Sequence, residues 1–196
     1  MRYFQFDSVP INDTDVVHIE RVGDDINITV VEGGLKSVVP IPDERRTIGN
    51  AEAVATRSTV FVHLASGQSE SWFHVISREG GTWRLVASSD EIFGSGEDPV
   101  CSSDGRHAFG AVVANRMLDV EDLQDDESID WVSFWYWDSR LGGRHGEIRL
   151  KVDFAGDFDE VSPEDFSVDN EGVVHFIVEG CYVSFSPAVT PVFVFG

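Results

Sequence analysis

The sequence predicts an all-β fold: an antiparallel sandwich or barrel-like meander of about a dozen short strands, with a small or partial β-propeller as the alternative. Three observations carry this. Apolar and polar residues alternate with a period of two along most of the chain. Gly, Pro, Asn and Asp turn signals recur roughly every 8–15 residues. No long stretch shows the 3.6-residue apolar period of a helix.

The elements follow in order. Tyr3-Phe4-Gln5-Phe6 alternates and opens as a strand. Val16 to Ile19 and Ile26 to Val31 flank Gly23-Asp24-Asp25, a hairpin signal. Glu32-Gly33-Gly34 makes the next turn, and Leu35 to Val39 is a short strand stopped by Pro40. Residues 42–57 read as a loop with at most a short helix, because Pro42 precedes an acidic start but Gly49-Asn50 interrupts. Thr59 to Leu64, Ser71 to Ser77 and Thr82 to Ala87 form a meander. In its middle strand Trp72, His74 and Ile76 share one face, while Phe73 and Val75 share the other. Both faces are partly apolar, so this strand is expected to be covered on both sides.

Gly94 to Pro99 reads as a loop and Arg106 to Ala114 as a strand. A polar excursion follows, and then Ile129 to Trp137, the most aromatic segment of the chain. Arg140 to Gly146 reads as a Gly-rich turn, with Glu147 to Phe154 as the hairpin partner. Phe166 to Val168, Val173 to Val178, Cys181 to Ser186 and Val192 to Phe195 complete the list. The turn Ser103-Asp104-Gly105 leading to Phe109 resembles Asp169-Asn170-Glu171-Gly172 leading to Phe176. Their 65-residue spacing does not fit a single propeller blade of about 40–45 residues, so a chance likeness is the expectation. The whole of 1–196 is read as one β domain with an acidic loop at about 115–130.

Composition narrows function. A hydrophobic fraction of 42%, with 14 Phe and 5 Trp, demands a packed core. Against 35 Asp and Glu stand 14 Lys and Arg, a formal net charge of -21. Such an excess repels anions, so neither nucleic acid nor an anionic membrane is expected as a partner. Basic partners, cations or a high-salt setting suit it better. The start of the chain does not read as a signal peptide, and no apolar run approaches the ~18 residues of a membrane span. Cytoplasmic residence is the expectation. Two cysteines, Cys101 and Cys181, make no disulfide framework and no zinc spacing.

Three constellations stand out. The first is the acid run Asp119, Glu121, Asp122, Asp125, Asp126, Glu127 and Asp130, which contains no basic residue. Close carboxylates repel one another until something positive neutralises them, so the run suits docking of a basic protein. The second is Trp131-Val132-Ser133-Phe134-Trp135-Tyr136-Trp137. On a strand Trp131, Ser133, Trp135 and Trp137 point one way and Val132, Phe134 and Tyr136 the other. Covered on both faces it is a core strand; with one face open, Trp135 and Trp137 would anchor a partner or stack on a sugar. The third, Asp153 to Glu160, carries oxygens for Ca²⁺ but departs from the D-x-[DN]-x-[DN]-G pattern, so a solvated turn is the default.

No catalytic motif is found. The six histidines form no HExxH pair, Gly94-Ser95-Gly96 is not a G-x-S-x-G elbow, and no phosphate-binding glycine loop occurs. Neither a metal nor a cofactor is expected. The leading expectation is therefore a non-catalytic acidic protein that neutralises or inhibits a basic partner, as an immunity protein does a toxin enzyme. Asp122, Asp125, Asp126 and Glu127 would steer the approach, and Trp135 and Trp137 would lock it. The alternatives are a carbohydrate-binding or carbohydrate-active protein using the Trp face, and a structural β module adapted to high salt.

Overall fold

The computed structural model describes residues 8–11, 15–43, 48–66, 70–96, 99–114, 129–151, 166–178, 181–189 and 194–195. These residues form sheets that are antiparallel except where the last strand joins, and none of their segments is a helix long and apolar enough to cross a membrane. Four sheets succeed one another along the chain. The first contains β1 (Ser8–Pro10), β2 (Val16–Val22), β3 (Asp25–Glu32) and β4 (Leu35–Pro42) in that order. The second contains β5 (Ile48–Ala55), β6 (Thr59–Ser66), β7 (Glu70–Glu79) and β8 (Thr82–Ser88), with β9 (Ile92–Phe93) also on β7.

In the third sheet β10 (Ser95–Gly96) and β11 (Val100–Cys101) both pair with β12 (His107–Ala114). Next come β13 (Ile129–Asp138) and β14 (Gly142–Lys151). The fourth contains β15 (Ser167–Val168), β16 (Val174–Val178) and β17 (Cys181–Phe185). The last strand, β18 (Val194–Phe195), returns to lie parallel to β14.

Because side chains alternate along a strand, an internal sheet presents two faces, and here both are apolar. Val60, Val62 and Leu64 of β6 meet the first sheet through Ile28, Val30 and Val39. Phe61 of the same strand, with Phe73 and Val75 of β7, meets Ala108, Val112, Trp135 and Trp137 of the third sheet. On the far side of the third sheet, Phe109, Phe134 and Tyr136 meet Phe166, Phe176 and Phe185 of the fourth. Three apolar layers therefore separate four sheets. The face assignment expected for Trp131 to Trp137 holds at every described side chain, and the strand is covered on both sides.

The stacking matches the propeller alternative. First strands lie beside first strands: β1 by β5, β5 by β11, and β11 by β15. Last strands do the same at the opposite margin, β4 by β8 and β8 by β14. Sequence-local meanders packed face to face with inner and outer strands in register are the blades of a partial propeller.

The likeness between the Asp104 and Asp169 turns has a structural basis too. Each joins the innermost strand of its sheet to the next, and the two touch: the Ser103 hydroxyl and the Asp104 backbone N–H both donate to Asn170 Oδ1, at 3.0 and 3.2 Å. The 65-residue spacing arises because segments 115–128 and 152–165 fall between them.

Three sequence expectations are corrected. Residues 48–55, read as part of a loop, form β5, with Gly49 and Asn50 at a register shift opposite Ala65 and Ser66. Pro40 does not stop β4, which runs on to Pro42 with Pro40 opposite Asn27. In the first sheet β4 is an edge strand, where a missing N–H costs no ladder bond. The glycines read as a turn before Glu147 lie inside β14, the turn being only Ser139 to Leu141. A Cβ on Gly143 would stand 2.5 Å from the Trp135 ring and one on Gly146 2.4 Å from the Phe134 ring. Those glycines are seats for aromatic rings on the neighbouring strand. Cys101 is a free thiol, held protonated by burial.

Candidate functional site: an acidic edge with two clefts

Alternating strand direction gives the stack two edges. One carries the short turns at Ala55–Thr59, Cys101–His107, Asp138–Gly142 and Val168–Val174. There, several cations and anions are paired or bonded to backbone. Arg78 pairs with Glu32 at 2.6 Å and Arg106 with Asp104, while Asp138 Oδ1 accepts the backbone N–H of Arg140 at 2.7 Å. Asp104 is drawn down to about 2: some desolvation raises it, but bonds from Arg106 N, Ser102 Oγ and the Arg106 guanidinium outweigh that.

The opposite edge is where β12 ends and β13 begins, and where β14 ends and β15 begins. The sequences leaving from those ends, 115–128 and 152–165, contain twelve Asp and Glu and a single basic residue, Arg116. Described residues at the same edge add Asp24, Asp43, Asp90 and Glu91. Asp43 is buried and holds the edge together: its Oδ2 accepts from Arg21 and from Ile48 N, and Arg21 also donates to the Ile48 carbonyl.

Two clefts open here on either side of Ser89 to Glu91, the segment leaving β8. The first, about 450 Å³, lies between the first two sheets and is lined by Asp43, Trp72, His74, Asp90 and Glu91 among others. Burial lowers the His74 pKa to about 4, so the ring is neutral at pH 7 and bonds Ser88 Oγ at 2.9 Å. The second, about 340 Å³, lies between the second and third sheets, with Asp90, Glu91, Gly143, His145 and the edge of Trp135 in its wall. In the first cleft, carboxylates beside the half-buried indole of Trp72 suit a guanidinium or an ammonium group, by charge and by cation–π attraction.

Of the sequence-predicted site, Asp119, Glu121, Asp122, Asp125, Asp126 and Glu127 lie outside the described residues. So does the Asp153 to Glu160 segment. Asp130 belongs to β13, with Leu150 opposite. Trp135 and Trp137 are corrected: they are 4% and 6% exposed, and the Trp135 ring stacks 5.7 Å from Phe61. Their strand is internal to the stack, so both rings belong to the core, and the open face that anchoring a partner requires is not formed. Among the described side chains, the more accessible indole at this edge is Trp72, which sequence reasoning placed on a covered strand. Its position next to the departing Ser89–Glu91 segment leaves it half-buried, and nothing in the local pattern signals that.

A largely buried polar trio, with Glu52 at its partly exposed end, was also illegible. His63 Nε2 lies 3.1 Å from Ser71 Oγ and its Nδ1 3.3 Å from Glu52 Oε2. The order acid, histidine, serine is that of acyl-transfer enzymes, but a nucleophile needs an open side and oxyanion donors. Ser71 is fully buried, Phe73 stacks on the His63 ring at 4.9 Å, and Gly96 lies against the ring at a distance that admits no Cβ. The trio ties β5, β6 and β7 together and approaches β10. Among the described residues no group of three or more His, Cys, Asp or Glu is placed to hold a metal ion.

No family model and no curated protein matches the chain. Solved structures that resemble it include hydrazine synthase of Kuenenia stuttgartiensis, at 15% identity and a TM-score of 0.47 over 88% of this chain. Another is the WD40 domain of SCAP from fission yeast, at 11% identity and a TM-score of 0.30 over 92% of this chain. The chain spans 61% and 59% of the lengths of these two proteins, respectively.

Proposed function

We propose that this chain is a non-catalytic acidic binding protein that neutralises or inhibits a basic partner protein, in the manner of a cytoplasmic immunity protein against a toxin enzyme. One observation carries the reading: both acid-rich segments are joined to strand ends at the edge that holds the two clefts, where Asp43, Asp90 and Glu91 line the walls. A field concentrated on one edge steers a basic surface toward it and speeds encounter. The clefts would then receive individual Arg or Lys side chains, with Trp72, Asp90 and Glu91 replacing the anchoring first assigned to Trp135 and Trp137.

The test is affinity capture at low salt with the wild-type chain and with a D90N/E91Q variant, followed by purification of what is retained. The expected result is a partner of high isoelectric point. Its association slows at least tenfold between 50 and 500 mM salt, in line with screening, and its dissociation is faster from the variant. Retention of no basic protein, or binding indifferent to both salt and the double substitution, overturns the reading.

A further inference from the structure

We propose that Tyr182 is an activated nucleophile that takes up one acyl group from a neutral ester, with His175 as its base and Asp169 as the residue that positions His175. The three meet on the outer face of the fourth sheet. His175 lies on β16 and Tyr182 on β17. Val174, Phe176, Val183 and Phe185 alternate with them along the strands and face the core. Asp169 stands in the turn that leads into β16.

The bonds run in line. His175 Nε2 lies 3.1 Å from Asp169 Oδ2, and the Tyr182 hydroxyl is hydrogen-bonded to Nδ1, the other ring nitrogen. An ionised carboxylate only accepts, so the ring proton sits on Nε2 and Nδ1 presents its lone pair. The phenol is then the donor, poised to give up its proton. Asp169 is fixed independently of the ring: its Oδ1 accepts the Glu171 and Val173 N–H groups at 3.0 and 2.8 Å. Some desolvation raises its pKa, but the bonds from Val173, His175 and Glu171 outweigh that and hold it below the usual carboxylate value.

Other acids, histidines and hydroxyls in the chain lack this combination. Ser71, next to His63, is fully buried. Tyr136 is buried too, and desolvation, then the Asp138 charge, push its phenol up to about 12. It and Asp138 also bear on the same nitrogen, His107 Nδ1, at 2.8 and 3.2 Å. At Tyr182 acid and phenol use opposite nitrogens, and the tyrosine is 67% exposed, so an electrophile can reach it.

Charge and neighbours select the donor. A chain of net charge -21 repels polyanionic donors such as nucleotides. Ile177, exposed and directly opposite Tyr182 in the ladder, offers an apolar contact. A neutral carboxylic ester with a short alkyl chain suits both. The phenol oxygen attacks the ester carbonyl carbon while its proton passes to His175 Nδ1. The bond from that carbon to the alcohol oxygen then breaks, the departing alcohol takes the proton from His175, and the acyl group stays on Tyr182.

The test is 4-nitrophenyl acetate with the full chain, followed by nitrophenolate release and by peptide mass spectrometry. The expected result is one acetyl group on Tyr182, added at least about tenfold faster than to N-acetyltyrosine amide, the low end of general-base assistance. Y182F should lose the rapid release, and H175Q should bring Tyr182 down to the rate of the amide. D169N keeps an oxygen for the turn but offers Nε2 a donor, which favours the other tautomer, and should slow Tyr182 several-fold. Nitrogen NMR should show His175 as the Nε2–H tautomer in the wild type and not in D169N; circular dichroism checks that the variants are folded. Tyr182 reacting no faster than the amide overturns the proposal. So does rapid release retained in Y182F, which puts the nucleophile on His175, or a folded H175Q or D169N at the wild-type rate. None of these results bears on the basic-partner reading, which concerns the clefts between the first three sheets.

Discussion

The buried hydroxyl of Thr59 donates a 2.6 Å hydrogen bond to the carbonyl of Gly105. It joins the first turn of the second sheet to the first turn of the third. Gly105 has φ +69, and a Cβ there would stand 2.4 Å from Thr56 Oγ1 and 2.8 Å from Ser58 Oγ. Sheet-to-sheet registry at this edge therefore depends on two small residues. T59V, which keeps the shape and leaves the Gly105 carbonyl without this donor, should cost about 1–3 kcal/mol of stability. G105A should cost more, because strain and collision add to the same loss. Urea unfolding of both variants checks the order; a G105A chain as stable as wild type contradicts it.

Close aromatic–glycine contact predicts a second pair of effects. The Phe73 ring covers Gly110 so closely that an added Cβ would lie 2.2 Å from it, and Trp135 covers Gly143 at 2.5 Å. Both G110A and G143A force a ring out of its layer, at about 1–3 kcal/mol each. G110A should be the worse, since Phe73 is fully buried between sheets. Thermal melts ranking G143A below G110A would be the contrary result.

Stability should fall on acidification, and from more than one group. Burial lowers His74 from 6.5 to about 4. Between those values the unfolded chain takes up a proton that the folded chain refuses, so stability declines as pH drops through that window, by roughly 3 kcal/mol in all. Asp104 and Asp169 act in the same direction but lower down. Their folded pKa values lie below 3.8, so their contribution is intact above that pH and is lost as pH falls, for Asp104 toward about 2. Urea midpoints at pH 7.5, 5.5 and 4.5 should decrease in that order, and H74Q should flatten the upper part. An unchanged midpoint across the three excludes the His74 contribution.

Net charge predicts the response to salt. With a formal charge of -21 the folded chain repels itself, and screening relieves this within a Debye length of about 8 Å at 0.15 M and about 3 Å at 1 M. Melting temperature should climb from 20 mM to about 0.5 M NaCl and then level off, if the acids exist for a partner. A climb that continues steeply into molar salt would favour the high-salt β module instead.

Local pattern was a good guide wherever a strand lies between two others. β7 and β13 read as two-faced from alternation alone, and Phe73 and Trp72, or Phe134 and Trp135, do go to different layers. It failed at the glycines of β14, though those read as turns at Gly23, Gly33, Gly34, Gly80, Gly81 and Gly105 are in turns. Gly143 and Gly146 look like turn residues in one dimension and are ring seats in three, because what selects them is a side chain on the adjacent strand. It failed again at Trp135 and Trp137, whose exposure depends on whether another sheet covers theirs.

By itself, then, the order of residues determined that the chain is β throughout, which side chains share a strand face, and how large the negative charge is. Those properties come from neighbours along the backbone or from simple addition. Which of the two β architectures forms, that Trp72 is half-buried while Trp135 is nearly covered, and that two distant acidic segments leave from one edge were decided only by tertiary packing. The reason is physical: each depends on how sheets far apart in sequence stack, and period-two alternation is the same whatever the strand is packed against.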